Sequence, residues 1–287
     1  MSSEIIKAAD GFIPDVWAGL IQGEFKNKVR VAPLAVNIEG LEGQPGETIT
    51  LPKWGTLKDL SELTEAEPIT TQTLGQTATQ ATIKEYGTAV EWTDKRALTG
   101  LGDLAGEVTR QLGVLAARNL DAELIKCAAA ETGSGTTGKN VQSKPLALDV
   151  SSSTKNLSWD VIVDGIAKFG DAWEPSDFAG LLIRSDMQAM LMKDSTFIKA
   201  ADLGRDTTVT TGQIGVLAGL PVIVTDRLPE HQFLMLKRGA LGVAYKRRPV
   251  LEHDRDILKR THVVTMNVHY AVKRLKDNGV LVGKLQA

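Results

Sequence analysis

The chain has 287 residues, of which 43% are hydrophobic and 24% are charged, and its formal net charge is −2. At about 150 residues per domain this length predicts about two domains, and a chain of this size buries about three quarters of its unfolded surface. The composition therefore excludes an intrinsically disordered protein and a small scaffold that depends on disulfides or a structural metal.

Cysteine and histidine usage predicts an intracellular protein without a metal site. The single cysteine, Cys127, cannot form an internal disulfide, and the four histidines form no Cys/His cluster with zinc-ligand spacing. The N-terminal sequence MSSEIIKAAD is acidic and polar, whereas a secretory signal is basic and then apolar. No run approaches the roughly 18 apolar residues of a membrane span. We therefore expect no membrane partner.

The first third of the chain predicts two strands separated by a long connection. Residues 1–36 contain scattered apolar side chains without a long helical period, which indicates an arm. GETITLPKW and ATIKEYGTAVEW alternate as strands do. Between them, residues 55–80 contain seven threonines, one proline and no aromatic residue. Because an isolated hairpin is marginal in water, such an extended hairpin is expected to pack against something else, such as a neighbouring chain.

The remainder of the chain predicts a mixed α+β fold. Residues 103–131 have the apolar spacing of a helix about 40 Å long, with Asp103 as its N-cap. A polar segment that ends near residue 154 then marks a domain boundary. Ser158 is expected to cap a second helix, and GLLIRSD predicts a buried strand that leads into a further helix. Strands are predicted at 221–225, 233–236, 241–246 and 262–272.

The segment GSGTTGKN, residues 133–140, matches two phosphate-binding patterns but lacks their context. Both patterns need a preceding strand and a following helix, whereas here a predicted helix precedes and a non-helical sequence follows. Asn140 also stands where a magnesium-binding hydroxyl would be. We interpret the segment as a glycine-rich linker, and a nucleotide-binding enzyme that uses Gly133 and Lys139 is the less favoured alternative.

Reactive side chains are few and have ordinary structural interpretations. Cys127 precedes three alanines on a predicted helix, which favours a small packed thiol. His253, Asp254 and Asp256 surround Arg255, which indicates a solvated ion-pair network. His262 shares its strand parity with apolar residues, as a packed histidine does. We therefore predict no catalytic residue, no cofactor and no enzyme.

Charge is distributed unevenly along the chain. Residues 1–230 contain 21 Lys and Arg against 31 Asp and Glu, whereas residues 231–287 contain 12 against 4. A basic patch for nucleic acid around Lys246, Arg247 and Arg248 is one interpretation. We favour complementary pairing within or between subunits, because no aromatic residues are interleaved for base stacking.

The order of these elements resembles the major capsid proteins of tailed bacteriophages, which have the Hong Kong 97 type fold. The resemblance covers nearly the whole chain and depends on order and spacing, because each segment alone is only a strand or helix pattern. The segments that carry it are GETITLPKW, IKEYGTAVEWTD, LLIRSDMQAML, GLPVIVTDRLP, FLMLKRGALGVAYKR and VVTMNVHYAVKRL.

The resemblance implies an α+β fold with a particular division of the chain. The implied segments are an N-terminal arm (1–44), an extended loop (45–84), a peripheral domain with the long helix (85–154), an axial domain (155–249) and strands that return to the peripheral domain (250–287).

The resemblance also implies a structural function. The chain would assemble into hexamers and pentamers of an icosahedral shell in the host bacterial cytoplasm, and would reside in the virion. Its partners would be further copies of itself, scaffolding and portal proteins, a decoration protein, and double-stranded DNA held by non-specific contacts. An encapsulin-like protein container and a non-assembling binding module are the alternatives. The expected inter-subunit contacts are Phe12, Trp17, Trp54, Leu57, Leu60 and Leu63.

Overall fold

The computed structural model describes residues 29–42, 45–54, 57, 62, 69, 71–99, 103–130, 144–152, 156–193 and 215–286. These residues belong to two compact units. Unit 1 includes the described residues of Lys84–Leu120 and Tyr245–Tyr270, and unit 2 includes the described residues of Arg30–Ile83, Asp121–Ala244 and Ala271–Ala287. Most of the arm and all of the GSGTTGKN segment lie outside the described residues.

The described elements are mixed helices and strands. The helices are α1 (Asp94–Thr99), α2 (Leu104–Ala129), α3 (Trp159–Ala167) and α4 (Ser185–Lys193). The strands are β1 (Val36–Asn37), β2 (Thr48–Trp54), β3 (Gln76–Thr82), β4 (Lys84–Thr93), β5 (Leu146–Asp149), β6 (Phe178–Ile183), β7 (Val216–Leu217), β8 (Leu220–Val224), β9 (Gln232–Lys237), β10 (Leu241–Asp256), β11 (Thr261–Arg274) and β12 (Val280–Lys284).

Unit 1 packs the first part of α2 against an antiparallel sheet. Strand β11 pairs with β4 from Thr261 opposite Thr93 to Tyr270 opposite Lys84, and β10 lies on the other side of β11. The core residues of this unit are Leu112, Ala116, Leu251, Val264 and Met266, with Val90, Trp92 and Val108 packed around them. Their alternation along β4 and β11 is what a half-buried sheet requires, so one face of each strand covers the helix.

Helix α2 begins where the sequence predicts, and a side chain caps it. The Asp103 carboxylate accepts a hydrogen bond from the Gly106 amide at 2.9 Å, and the Asp103 carbonyl accepts one from the Glu107 amide. Further along the helix, Asn119 accepts a hydrogen bond from the buried Tyr270 hydroxyl, and Tyr270 stacks on Tyr86 at 5.1 Å. These contacts fix α2 on the sheet of unit 1.

Unit 2 is built on a six-stranded mixed sheet in the order β5-β12-β9-β6-β8-β7. Strand β12 pairs parallel with β5 and antiparallel with β9, and β6 pairs antiparallel with β9 and parallel with β8. Helices α3 and α4 contribute Val161, Ile162, Met187 and Leu191 to its core. Gly283 lies opposite Phe233, whose ring is 2.1 Å from where a Cβ atom at Gly283 would lie. The ring therefore packs directly on the backbone of β12.

A buried carboxylate attaches the start of the described chain to α2. Asp121 is 3% exposed, and it accepts hydrogen bonds from the amides of Arg30 at 2.7 Å and of Val31 and Ala32 at 3.0 Å. Burial raises the pKa of the Asp121 carboxyl even though these amides favour its charged form. The segment that precedes β1 is therefore held by one side chain, which satisfies three backbone donors at once.

A buried arginine caps the other end of α2. Arg274 is 4% exposed and donates from Nη1 to the carbonyls of Ala128 at 2.9 Å and Ala130 at 2.7 Å. Its Nε donates to the buried carboxylate of Asp277. The last carbonyls of a helix have no partner within the helix and carry partial negative charge, so a guanidinium there is favourable.

Several predicted elements differ in detail from those observed. Ser158 occupies the N-cap position of α3 as predicted, but its side chain makes no capping hydrogen bond. Strand β10 extends to Asp256, ten residues past the predicted end, because its second half pairs with β11 while carrying charged side chains. Strands β5 and β12 were not predicted. The sequence ATIKEYGTAVEW is divided at Ile83 between β3 and β4.

Replacing Asp121 by alanine should destabilise unit 2. The change leaves the amides of Arg30, Val31 and Ala32 without their acceptor, and for the buried Val31 amide the unsatisfied donor costs about 1–3 kcal/mol. We expect a lower melting temperature and faster hydrogen exchange of these three amides. The matched control is Asp164→Ala, which removes an exposed helical carboxylate of unit 2. Equal exchange rates in the two variants would contradict this account.

Candidate assembly surfaces

The β2–β3 hairpin has little core among its described residues. Its strands pair antiparallel from Thr48 opposite Thr82 to Trp54 opposite Gln76. Ala81 is the one side chain described in these two strands that is fully buried, while Ile49 and Leu51 are half-buried. Leu57, Ile69 and Leu74 are exposed in the connection between the two strands. A two-stranded ribbon with so little burial needs packing from outside itself.

One end of unit 1 exposes a cluster of large apolar side chains. We name the turn between β10 and β11, residues 257–260, the tip turn. Ile257 is 76% exposed and Leu258 is 96% exposed, and Leu98 on α1 is 85% exposed. Helix α1 follows the end of β4, and Thr93 there pairs with Thr261 at the start of β11, so α1 and the tip turn lie at the same end of the sheet. Exposed apolar side chains grouped in this way indicate an interaction surface.

The tip turn is held in a defined shape by Asp256 and its neighbours. The Asp256 carboxylate accepts hydrogen bonds from the amides of Leu258 at 2.9 Å and Lys259 at 3.0 Å, and these bonds lower its pKa. Arg260 closes the turn in the left-handed region at φ 54°. Side-chain hydrogen bonds to the following amides are the usual way in which aspartate stabilises a turn. The two apolar side chains are therefore presented on a fixed backbone.

Asp94 connects α1 to both strands of this end. Its Oδ2 lies 2.7 Å from Nη2 of Arg255, its Oδ1 lies 3.1 Å from Nε2 of His262, and its amide donates to the Arg260 carbonyl at 3.0 Å. The hydrogen bond from Arg255 holds the pKa of the Asp94 carboxyl below its ordinary value, against the opposing effect of burial. Arg255 thus pairs with Asp94, so the exposed ion pairs predicted around residues 253–256 extend to α1.

Histidine side chains stack beneath the same end of unit 1. His262 lies over Trp92 at 5.9 Å between ring centroids and over His253 at 5.6 Å. Burial, and then the proximity of His262, lowers the pKa of His253, while Asp254 acts in the opposite direction. His262 is a packed strand residue with the Asp94 carboxylate beside it.

Three further features bear on function in the part of the chain that the structure describes: the cysteine, possible metal ligands and the hydropathy of the helices. Cys127 is half-buried on α2, and burial raises the pKa of its thiol, which keeps it protonated. Among the described residues no group of three or more His, Cys, Asp or Glu side chains could hold a metal ion. None of the described helices combines the length and hydropathy that crossing a membrane requires.

Basic residues of the C-terminal part make local contacts. Arg247 pairs with Glu252 at 2.8 Å, and the guanidinium of Arg248 lies 5.3 Å from the centre of the Tyr245 ring. Lys259 lies 3.7 Å from Asp256. Such pairs between exposed side chains contribute little stability, but they neutralise part of the positive charge of this region.

Of the six residues predicted at subunit contacts, Trp54 and Leu57 are among those that the structure describes. Trp54 ends β2 opposite Gln76, and Leu57 is 55% exposed. Phe12, Trp17, Leu60 and Leu63 lie outside the described residues. Leu98, Ile257 and Leu258 were not among the residues predicted at subunit contacts. The two apolar residues of the tip turn could have been recognised as unusual, because turns normally favour Gly, Asn, Asp and Pro at such positions.

The chain is similar to known capsid proteins over most of its length. The family model described as "Phage capsid protein" matches residues 76–282. The major capsid protein of Staphylococcus phage phiMR11 is 28% identical over 98% of this chain and 99% of its own. The capsid structure of cyanophage P-SCSP1u covers 91% of this chain and 89% of its own, with a TM-score of 0.69 and 13% identity. The cyanophage Pam1 capsid covers 100% and 99%, with a TM-score of 0.66 and 17% identity.

The chain belongs to the phage capsid protein family. Its α+β architecture matches solved phage capsids, so the Hong Kong 97 type fold expected from the sequence is confirmed. It is accordingly a structural protein of the virion. A virus-like particle from Pyrococcus furiosus has the same fold at a TM-score of 0.61 and 11% identity. The fold is thus shared by several kinds of shell, and the family match and the curated relative favour the phage capsid over the encapsulin-like alternative.

Replacing both Ile257 and Leu258 by serine should weaken association between subunits without unfolding unit 1. Both side chains are more than three quarters exposed, so the isolated fold loses little, whereas an apolar contact with another subunit would lose about 1–3 kcal/mol per side chain. Sedimentation of assembled material against subunit concentration measures the change. The control is Val163→Ser on α3, which is 42% exposed in unit 2. An unchanged concentration dependence would exclude the tip turn as a contact.

Acidification should destabilise unit 1 through His253. Its pKa is lowered in the folded protein, so the unfolded chain takes up this proton first, at its ordinary value of 6.5. The contribution of neutral His253 to the free energy of unfolding is therefore fully present above pH 6.5. It decreases as the pH falls below 6.5. Thermal unfolding between about pH 8 and 5 should show a shallower decline for His253→Gln, whereas the control His231→Asn should follow the original chain. An equally steep decline in His253→Gln would refute this assignment.

Proposed function

We propose that this chain is the major shell subunit and that it assembles into hexamers and pentamers of an icosahedral capsid that encloses double-stranded phage DNA. The observation that carries the proposal is the cluster of exposed Leu98, Ile257 and Leu258 on a rigid end of unit 1, in a chain of the phage capsid protein family. A single subunit leaves this surface in water, whereas copies around a symmetry axis cover it.

The β2–β3 hairpin and the N-terminal arm supply further contacts in this proposal. The hairpin buries little of its own apolar surface, so it gains order when it lies on a neighbouring subunit. The side chains that we assign to subunit contacts are those predicted from the sequence, namely Phe12, Trp17, Trp54, Leu57, Leu60 and Leu63. The proposed segments remain an arm at 1–44, an extended loop at 45–84, a peripheral domain at 85–154, an axial domain at 155–249 and returning strands at 250–287.

DNA would be enclosed mainly by confinement. The net charge of the chain is only −2, and several basic side chains near the C-terminus pair with carboxylates of the same chain. Contacts with phosphate groups would therefore be few, non-specific and sensitive to salt. Scaffolding, portal and decoration proteins complete the proposed set of partners. Assembly would take place in the cytoplasm of the host bacterium.

Electron microscopy of the purified chain tests this function. Negative staining and size-exclusion chromatography over a range of concentrations and salt levels should show closed shells or hexameric and pentameric rings. Shells that form in cells and contain protected double-stranded DNA would support the genome-enclosing function, while shells of one small size without nucleic acid would favour the encapsulin-like container. A compact monomer under all conditions, also after co-expression with the phage scaffold and portal proteins, would contradict assembly.

The nucleotide-binding alternative has its own test. Isothermal titration of the purified chain with ATP or NAD should give no heat. Binding that Lys139→Ala abolishes would instead support an enzyme that uses residues 133–139.

A further inference from the structure

Unit 2 contains a cleft of about 700 Å³ at the C-terminal end of α2. Its walls are the last turns of α2, the segment that enters β5, the loop before β9, and β12. The floor consists of small and branched apolar side chains: Ala122, Ile125, Ala129, Ala147 and Val282. This volume is in the range of sites that hold a few large side chains or a small ligand.

The charged side chains among the described lining residues of this cleft are all basic. Lys126, Lys144, Arg227 and Lys284 line it, and neither Asp nor Glu is among the described lining residues. Lys126, Lys144 and Arg227 are exposed, and Lys284 is half-buried near Asp149. An apolar floor inside a cationic rim is complementary to an occupant that is both apolar and anionic.

The N-terminal segment of this chain has that chemistry. Residues 10–21, DGFIPDVWAGLI, combine two carboxylates, Asp10 and Asp15, with the aromatic side chains of Phe12 and Trp17 and four further large aliphatic residues. Residues 1–24 as a whole contain four acidic residues and one lysine. Aromatic anchors in an apolar pocket surrounded by opposite charges are typical of residues that dominate binding energy at protein interfaces.

The distribution of charge favours binding of residues 10–21 from a neighbouring copy in this cleft over binding of the same residues from the chain itself. The described chain begins beside the cleft, because Asp121 holds Arg30 and the next residue on α2, Ala122, lines the cleft. The stretch of the same chain nearest to the cleft is basic, with Lys26, Lys28 and Arg30, and the cationic rim repels it. The nine residues from 22 to 30 can extend for about 30 Å, which is enough to carry the acidic, apolar stretch to another subunit.

We propose that this cleft binds residues 10–21 of a neighbouring copy of the chain. Phe12 and Trp17 occupy the apolar floor, and Asp10 and Asp15 lie against Lys126 and Arg227 at the rim. The inference rests on the proposed assembly and names the surface that receives the arm.

Disulfide trapping in assembled shells tests the proposal. The chain has a single cysteine, so Cys127→Ala gives a background without thiols. Ala147→Cys then places a thiol on an exposed residue of the cleft, and Phe12→Cys, Val16→Cys or Leu20→Cys places one in the segment. Mild oxidation should give a ladder of covalent dimers and larger oligomers on a non-reducing gel for at least one of the three pairs.

The matched control moves the cleft thiol to Ala167→Cys, an exposed alanine on α3 outside the cleft. Oxidation of this control with the same segment thiols should give no ladder. A ladder of equal intensity would show that the segment meets unit 2 without preference, and this would overturn the proposal.

Charge reversal separates this site from other contacts of the arm. Lys126→Glu together with Arg227→Glu should lower the crosslinked fraction by about tenfold or more. Asp10→Lys together with Asp15→Lys in the same chain should restore it. Loss of the ladder without rescue would reject the pairing of these charges.

The possible outcomes distinguish this inference from the proposed function. Shells that form without any ladder would overturn the cleft as the receptor and leave the assembly function standing. An intrachain disulfide, seen as a faster-migrating monomer without free thiols, would show that the chain's own segment occupies the cleft and would also overturn the proposal. An unmodified chain that forms neither shells nor rings would refute the assembly function itself.

Discussion

Two buried charges on or against the longest helix hold the chain's distant segments together. Asp121 accepts three amides from residues 30–32, and Arg274 donates to the last carbonyls of α2 while it pairs with Asp277. The contacts with residues 30–32 and with the last carbonyls of α2 each join parts of the sequence that are about 90 to 150 residues apart. Because a buried charge without its partner costs several kcal/mol, these contacts define a unique arrangement of the segments around the helix, in addition to the less specific burial of apolar side chains.

The apolar residues divide into those that fold the subunit and those that the fold leaves in water. Unit 2 has a continuous core between its sheet and two helices, and unit 1 has a smaller one between α2 and its sheet. Leu98, Ile257 and Leu258 contribute to neither core, and hydrogen bonds rather than packing hold the backbone that carries two of them. This division suits the proposed assembly, in which a subunit folds alone and then associates, because the surface proposed for association already has its shape before a partner arrives.

Local sequence patterns predicted much of this fold. The features that they did not predict depend on contacts between residues far apart in the sequence. Helix α2 was predictable because its apolar spacing and its cap at Asp103 are local features. Strand β12 escaped prediction because Gly283 has no side chain that marks a core position, and the ring that covers it belongs to Phe233, fifty residues earlier. The role of Asp121 could not be predicted from the helical sequence around it, since its hydrogen-bond partners lie 89 to 91 residues away. The apolar residues of the tip turn are visible in the sequence. Their exposure, however, follows only from the packing around the turn.

The attachment at Asp121 also determines where a mechanical load enters the subunit. Within the described residues, a pull on the segment that precedes β1 is carried by three hydrogen bonds that converge on the Asp121 carboxylate of α2. These bonds share the load, so they resist as a group and not one after another. The β2–β3 hairpin begins only at Thr48, beyond this point, and is shielded from such a pull. A shell built from these subunits could therefore strain its arms without peeling its hairpins.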